Sequence, residues 1–536
     1  MHDDTPILIL VHGHRPTFPA RLVQESAAAM RTAVEAVAGE RLRIVDLGPL
    51  ADAAAAKLAA IAAQAHRRGP QRRGCIGIIV SMFNFSSETA IRDFVRLAEL
   101  EVPILIHTEA DSDMPGRMGS AARRDGACGR LSVCNALRHI GAPYTTTRNH
   151  VVRVDGPDFA EDLAAFIGAC AIADRFRRRG PGLRLGLIGS PPDDFQTMTT
   201  VSTELLGHIG LQTTTLDLLA LDRRMRDCPH EHVQAQRERI DAYLPSNNMP
   251  EQAAEAMARL GLVFDSFITE NDLDGLAVRC WSELQQYRIG GVCGISPCTC
   301  MSMLSDRLLP AACEVDIAGW MSMMLLQTAS GLVPALADWN NMRTEAPDEI
   351  DLFHCGVWAK RLLREGGRIT SHAILGPVHG IGEDNAWGTV EGQMHNGNAA
   401  FLRLCTDARE GRIFAYAGAG EILPQAIDSF GTTARLRVPD LQALLRTLTG
   451  GDHAVEHHCA LVVGEEQHIR RCLHAVEMAL PYLNAQAGRN RQGCELIAWH
   501  RHRARPAAIR QEPDQADPGA HRRRHATAGA YSRADA

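Results

Sequence analysis

The chain has 536 residues, too many for one ordinary hydrophobic core, so two to four domains are expected. Its apolar content of 45% is that of a globular protein, and a formal net charge of −7 excludes the broad basic surface that non-specific nucleic-acid binding needs. Fifteen cysteines, an odd number in so long a chain, speak for buried free thiols in a reducing compartment and against a disulfide scaffold.

The opening MHDDTPILILVHGHRP has no basic segment, and its apolar run is too short for a secretory signal or a membrane span. No later run reaches span length, so no membrane partner and a cytoplasmic location are expected. Pro6 to Val11 reads as a buried strand, Ser26 to Ala38 as a helix, and Leu42 to Asp46 as a strand. Leu50 to His66 is helical again, and Cys75 to Val80 is a β-branched strand. The loop SMFNFSSE (81–88) follows, then a helix through Leu100 and a strand from Val102 to His107. Strands with continuous apolar runs, alternating with helices, predict a doubly wound α/β domain over 1–175 with a parallel sheet. Ligands of such sheets gather beyond the carboxyl ends of the strands, where Ser81 to Glu88 lies.

The basic stretch RFRRRGPG (175–182) reads as a linker. LRLGLIGS then opens a second doubly wound α/β domain over 183–345, and its short glycine loop is no dinucleotide fingerprint. Strands are expected at Gly290 to Ile295 and Leu332 to Ala337, and helices at Asp272 to Gln286 and Ile317 to Leu326. From 346 to 485 the texture becomes glycine-rich, with short runs such as GRIT, WGTVEGQ, AAFLRL and GRIFAYAG between turn signals. That pattern predicts a β-rich, largely antiparallel C-terminal domain, with a helix at Leu441 to Leu448 and a last one ending near Asn484. The segment 488–536 has almost no apolar periodicity and reads as a disordered tail.

Four segments carry the residue types of a reactive centre: AACEVDIAGW with Glu314 and Asp316, LADWNN with Asp338, LFHCGVW with His354, and VEHHCALVVG with His457 and His458. Each has a plain structural explanation as well. Glu314 suits a helix cap, Asp338 a turn, and the paired histidines a polar lead into a strand. Cys298 and Cys300 show no second pair at zinc-site spacing and no neighbouring base that would activate a thiol. The methionine-rich WMSMMLLQ (320–327) has the spacing of a packed helix. His372, His379 and Glu391 are polar residues of the β-rich part that suit either a sugar hydroxyl or the surface.

In this order, CEVDIAGWMSM, LADWNN, HCG and HHCALVVG resemble the L-fucose isomerase family and its L-arabinose isomerase relatives. RPTFPARLVQES (15–26) and MFNFSSET (82–89) resemble two of its N-terminal segments, so the likeness runs from about residue 5 to 480. The resemblance implies two α/β domains and a β-rich one, assembled as a homo-oligomer (trimer or hexamer) whose subunits share active sites. It implies Mn²⁺, or another divalent metal ion, held by Glu314, Asp338 and His458, with Glu314 and Asp338 as the catalytic acid/base pair. It further implies that Arg15, Phe83 and His457 meet the substrate, Phe83 from across the subunit interface, with His354 behind the ligands. Relatives continue beyond the final helix with an apolar strand, whereas this chain departs into GRNRQGCELIAWHRHRAR.

The implied activity is aldose–ketose isomerisation of a small sugar by ene-diol proton transfer, the substrate being a pentose, a 6-deoxyhexose or a 6-substituted hexose. Two carboxylates and an imidazole with open positions suit a hard or borderline divalent ion, and a carboxylate suits proton transfer alpha to a carbonyl. A sugar-binding regulatory protein or an epimerase on the same scaffold are the alternatives, since paired α/β domains bind sugars without chemistry as well.

Overall fold

A computed structural model describes residues 5–69, 74–111, 123–177, 182–375, 386–450, 455–487 and 494–500, the last seven as backbone. The proposed tail beyond 500 and His379 lie outside the described residues.

The first sheet is parallel throughout. Its strands are β1 (Ile7–Gly13), β2 (Arg43–Leu50), β3 (Cys75–Met82), β4 (Ile104–Thr108) and β5 (Thr145–Thr146), in the order β2-β1-β3-β4-β5. Every residue of β1 and β3 is buried, because helices cover both faces. Alternation within β1 divides the strand between two cores. Leu8 and Leu10 pack with Met30, Val34, Phe159 and Phe166, whereas Ile7, Ile9 and Val11 pack with Ala56, Ala59, Ile91 and Phe94. The helix Glu88–Ala98 starts where Ser87 accepts a hydrogen bond from the Ala90 amide, which ends the loop that carries Phe83 and Phe85.

The second sheet is also parallel, with β6 (Leu183–Ile188), β7 (Leu211–Leu216), β8 (Gly275–Val278) and β9 (Ala311–Cys313) in the order β7-β6-β8-β9. Here the sequence expectation needs correction twice. The segment 272–286 is β8 followed by a single helical turn, Glu283–Gln286, and not one helix. Gly275 lets this strand pass close to its neighbours, since a Cβ there would lie 2.2 Å from the Pro310 carbonyl oxygen and 2.5 Å from Trp320 Nε1. The expected strand at 290–295 is instead a tight turn, because Gly290 and Gly291 take φ of 69° and 76° and break the extended path.

The third sheet holds nine strands: β10 (Ala335–Met342), β11 (Glu349–His354), β12 (Arg368–Ser371), β13 (Trp387–Gln393), β14 (Gly397–Asp407), β15 (Arg412–Leu423), β16 (Thr432–Arg437), β17 (His458–Gly464) and β18 (Cys494–His500). Their order is β12-β13-β16-β11-β10-β17-β14-β15-β18, and an added β15–β16 pairing closes six of them into a barrel. The ladder is antiparallel except at β13–β16 and β15–β18. β18 is an element the sequence reading did not contain; the apolar CELIAWH pairs alongside β15. On one face of β14, Ala400, Leu402 and Leu404 pack against the buried helix Ile317–Ser330 and the long helix Glu466–Ala487, while Ala399 and Phe401 belong to the other core. Among the described residues, no helix is long and apolar enough to cross a membrane.

Candidate metal centre

The centre forms where the carboxyl edge of the second sheet meets the barrel. Chain leaving β9 turns sharply through Glu314 and Val315, both left-handed at φ 58° and 54°. Such backbone costs roughly 1–2 kcal/mol per residue away from glycine, so the surrounding structure must hold it in place. The turn is fixed by the Val315 amide donating to the Val278 carbonyl and the Asp316 amide donating to the Cys313 carbonyl. Asp316, rather than Glu314, caps the next helix, its Oδ1 accepting from the Gly319 amide at 2.8 Å. Glu314 is thereby freed to face the barrel.

The barrel contributes the other side. Asp338 on β10 is the register partner of His458 on β17, so the two side chains share a face. Their Oδ1 and Nε2 atoms are 3.1 Å apart, and His458 Nε2 is 3.9 Å from Glu314 Oε2. On the far side of the ring, His458 Nδ1 is 2.8 Å from Asp316 Oδ2. Arg403, wholly buried on β14, binds Asp316 through both terminal nitrogens and donates from Nε to Glu456 at 2.8 Å. Burial would raise the Asp316 carboxyl, but Arg403 and then His458 outweigh it and hold it well below the usual range. An ionised carboxylate only accepts, so His458 donates from Nδ1 and turns the lone pair of Nε2 toward Asp338 and Glu314.

Four buried polar atoms meet here without a hydrogen-bond partner: Glu314 Oε2, Asp338 Oδ1, His458 Nε2 and His354 Nε2. Each such atom costs about 1–3 kcal/mol if nothing fills the gap. Burial, reinforced by Asp338 and Asp316, pushes the Glu314 carboxyl up to about 7. Burial opposes a charge on His458, but its contacts with Asp316, Asp338 and Glu314 prevail and raise its affinity for a proton. A cation is the natural competitor for that proton. Glu314, His457 and His458 bring ligand atoms within 4.8 Å of one another, as do Asp338, His354 and His458. Among these His354 differs in kind. Its Nδ1 accepts from the Cys355 amide at 2.8 Å and burial lowers its pKa to about 4, so it is neutral with its proton on Nε2. It faces the centre as a donor, not as a ligand.

Two family models match this chain: the N-terminal domain of fucose/sulfoquinovose isomerase over residues 9–177, and the C-terminal domain of L-fucose isomerase over 352–480. The chain belongs to the fucose isomerase family. It is thus an aldose–ketose isomerase of sugars. Similar proteins include the sulfoquinovose isomerase of Alkalicoccus urumqiensis, 24% identical over 69% of this chain and 78% of that protein. The sulfoquinovose isomerase of Clostridium sp. (strain MSTE9) is 25% identical over 49% of this chain and 58% of its own length. That of Priestia aryabhattai is 23% identical over 48% and 55%.

The remaining candidates of this family member fall in two places. His457, with its side chain 40% exposed, lies beside the centre, its Nε2 4.0 Å from Asp338 Oδ1. Its ring stacks on Phe195 at 6.1 Å, and Phe195 meets Trp281 edge-on at 5.7 Å. Phe195 follows β6 and Trp281 follows β8, so both stand at the same strand ends as Glu314. Arg15 belongs to the first sheet, where it donates to the Phe85 and Ser86 carbonyls and lies 4.3 Å over the Phe85 ring. Phe83 is corrected: it is fully buried, stacked on His12 at 5.1 Å, and has no surface for a sugar. Phe85, two positions on and half-buried, is the ring of that loop that remains accessible. Among the described residues, no contact of Arg15 or Phe83 reaches Glu314, Asp338 or His458 within one chain.

Cys298 and Cys300 are buried in the helix Cys298–Asp306, and burial raises the Cys300 thiol well above its usual range, which leaves it inert. Trp320 to Leu326 are all buried, as packed core. Phe195, Trp281 and Arg403 went unnoticed in the sequence. Only Arg403 carried a signal there, as a lone charge in the apolar AAFLRL.

Proposed function

We propose that this chain interconverts sulfoquinovose, a 6-sulfonated hexose, and its ketose isomer, at a Mn²⁺ ion or another divalent ion held by Glu314, Asp338 and His458. The observation that carries the reading is that the unpartnered Glu314 Oε2 and Asp338 Oδ1 flank the unpartnered His458 Nε2, at 3.9 and 3.1 Å. Two carboxylate oxygens and one imidazole nitrogen fit such an ion, and the names of the similar proteins supply the sugar. When bound, the ion supplies Lewis acidity toward the neighbouring oxygens of the open-chain sugar.

Glu314, through the carboxylate oxygen not given to the ion, takes the proton from the carbon alpha to the carbonyl and returns it to the adjacent carbon, by way of an ene-diol. Asp338, through its other carboxylate oxygen, carries the hydroxyl proton between the two sugar oxygens. A ring nitrogen of His354 lies within 4.8 Å of the Asp338 carboxylate and steadies its charge without a direct hydrogen bond. Asp316 and Arg403 keep the His458 ring in one orientation and one tautomer. His457 and Phe195 offer rings to the sugar's carbon–hydrogen face. Arg15 and the loop holding Phe85 serve the centre of a neighbouring copy in a cytoplasmic homo-oligomer. This is supported by their separation from the centre within one chain.

The test is a sugar panel run with metal-stripped protein, with and without added Mn²⁺, beside the Glu314→Gln variant. Mn²⁺-dependent conversion of sulfoquinovose, lost in the variant, is the expected result. Folded, metal-loaded protein that turns over no pentose, deoxyhexose or substituted hexose would overturn the reading in favour of a sugar-binding protein. Inversion at one carbon without ketose formation would mark an epimerase.

A further inference from the structure

His372 follows β12 and takes no part in the chemistry described above. Its side chain is nonetheless held in a definite state. The amides of Ile374 and Leu375 both donate to Nδ1, at 3.3 and 3.2 Å. A ring nitrogen that accepts two amide donors carries no proton, so the proton of the neutral ring is on Nε2. The residue is 3% exposed, and burial lowers its pKa to about 4, which keeps the ring uncharged at neutral pH. Nε2 makes no hydrogen bond to any described residue. His372 is therefore a donor fixed in sign, with its one N–H uncommitted among the described residues.

Its position is as definite as its tautomer. Trp281 meets the His372 ring at 6.0 Å and 74°, and Phe430 meets it at 5.7 Å. From the metal centre, rings run in series from His457 through Phe195 and Trp281 to His372. A second series returns from His372 through Phe430 to Phe353, the register partner of Asp338. The two series make a rim of rings that begins and ends at the centre, with His372 at its far side. Phe195, Trp281 and Phe430 are only partly buried, so the rim keeps exposed faces.

We infer that His372 is a specificity-determining residue that donates from Nε2 to an acceptor oxygen on the end of the sugar remote from the reacting carbons. The inference rests on the sugar-isomerase reading above and deepens it. A sulfonate is acceptor-only, and a locked N–H pairs with it without a competing tautomer. A methyl group at the same carbon offers that donor no acceptor. That difference is how a fixed polar group rejects an analogue lacking its partner. The flanking rings pack against the carbon–hydrogen faces between the two ends.

The test uses full-length, Mn²⁺-loaded protein and the variants His372→Phe and His372→Gln, with sulfoquinovose as substrate and its 6-deoxy counterpart as competing ligand. His372→Phe is expected to raise KM and lower kcat/KM for sulfoquinovose about 10- to 100-fold, with kcat less affected, as for one lost hydrogen bond to an anionic group. The inhibition constant of the 6-deoxy sugar should stay within about threefold, because that sugar never used the donor. His372→Gln retains an N–H near the same place and should recover most of the loss. Equal losses for both sugars, no loss for either, or no advantage of Gln over Phe would each overturn the assignment. If the wild-type protein is active while His372→Phe matches it, this inference alone falls. If the wild-type protein turns over no sugar, the isomerase reading falls and takes this inference with it.

Discussion

Asp338 and His458 stand directly opposite each other on neighbouring antiparallel strands of the barrel, with Oδ1 and Nε2 3.1 Å apart and no hydrogen bond between them. They form a close ion-pair contact, and the Glu314 oxygen beside them is left without a partner unless something shared lies between the three. The arrangement behind them has the same logic, because Asp316 already occupies the other nitrogen of His458.

Asp316→Asn removes the charge that fixes the His458 tautomer. Mn²⁺ affinity is expected to fall about 10- to 100-fold, the usual effect of losing a carboxylate behind a ligating histidine. Calorimetric titration of metal-stripped protein checks it, and an unchanged dissociation constant would rule out the orienting role.

Arg403→Met should be more damaging to the fold than to chemistry. It leaves Asp316 and Glu456 buried beside each other without their shared cation. Breaking a buried pair in this way destabilises by about 3–5 kcal/mol, read by urea unfolding.

Gly319→Ala tests the packing of the same knot. An added Cβ would lie 2.1 Å from Asp316 Oδ2 and 2.7 Å from an Arg403 nitrogen. Neither partner has room to retreat, so about 1–3 kcal/mol of stability should be lost, along with some metal affinity. Thermal unfolding and a Mn²⁺ titration give the two readouts.

Chelation should lower the melting temperature without unfolding the chain, since three large cores do not depend on the ion. Adding Mn²⁺ back at a hundredfold excess over its dissociation constant should restore about 2.7 kcal/mol. A melting temperature insensitive to both steps would argue against a metal at this place.

Acid sensitivity has an identifiable contributor in the first domain. His107 is fully buried, with Nε2 bonded to the Val152 carbonyl at 3.0 Å, and burial lowers its pKa to about 3. The unfolded chain takes up a proton on this residue below about pH 6.5, whereas the folded chain does not. Stability from this group is therefore complete above pH 6.5 and is lost as pH falls toward 3, at up to about 1.4 kcal/mol per unit. His107→Gln should flatten the acid limb of the stability curve by up to one proton in that window, measured by urea unfolding at stepped pH.

Much of the architecture was legible in local pattern. Uninterrupted apolar runs in β1 and β3 indicate strands buried on both faces, and Gly-punctuated short runs indicate a β-rich end. The motifs around Glu314, Asp338 and His458 were legible only through family resemblance, because each has an ordinary explanation when read alone. The expected helix over 272–286 failed because apolar Leu276, Ala277 and Val278 fit either element, and close approach to Pro310 decided for a strand.

By itself, then, the sequence determined the classes of element outside 272–286 and 290–295, the two parallel sheets and the residue types available for chemistry, since these follow from short-range periodicity. Tertiary structure alone decided which of them meet. Asp338 and His458 are joined by strand register, Arg403 and Asp316 by a contact spanning 87 positions, and Glu314 is aimed by a left-handed turn that no local preference favours. It also decided that Phe83 is inside and Phe85 accessible, because the chain leaves β3 at Met82 and bends through these residues before the next helix begins.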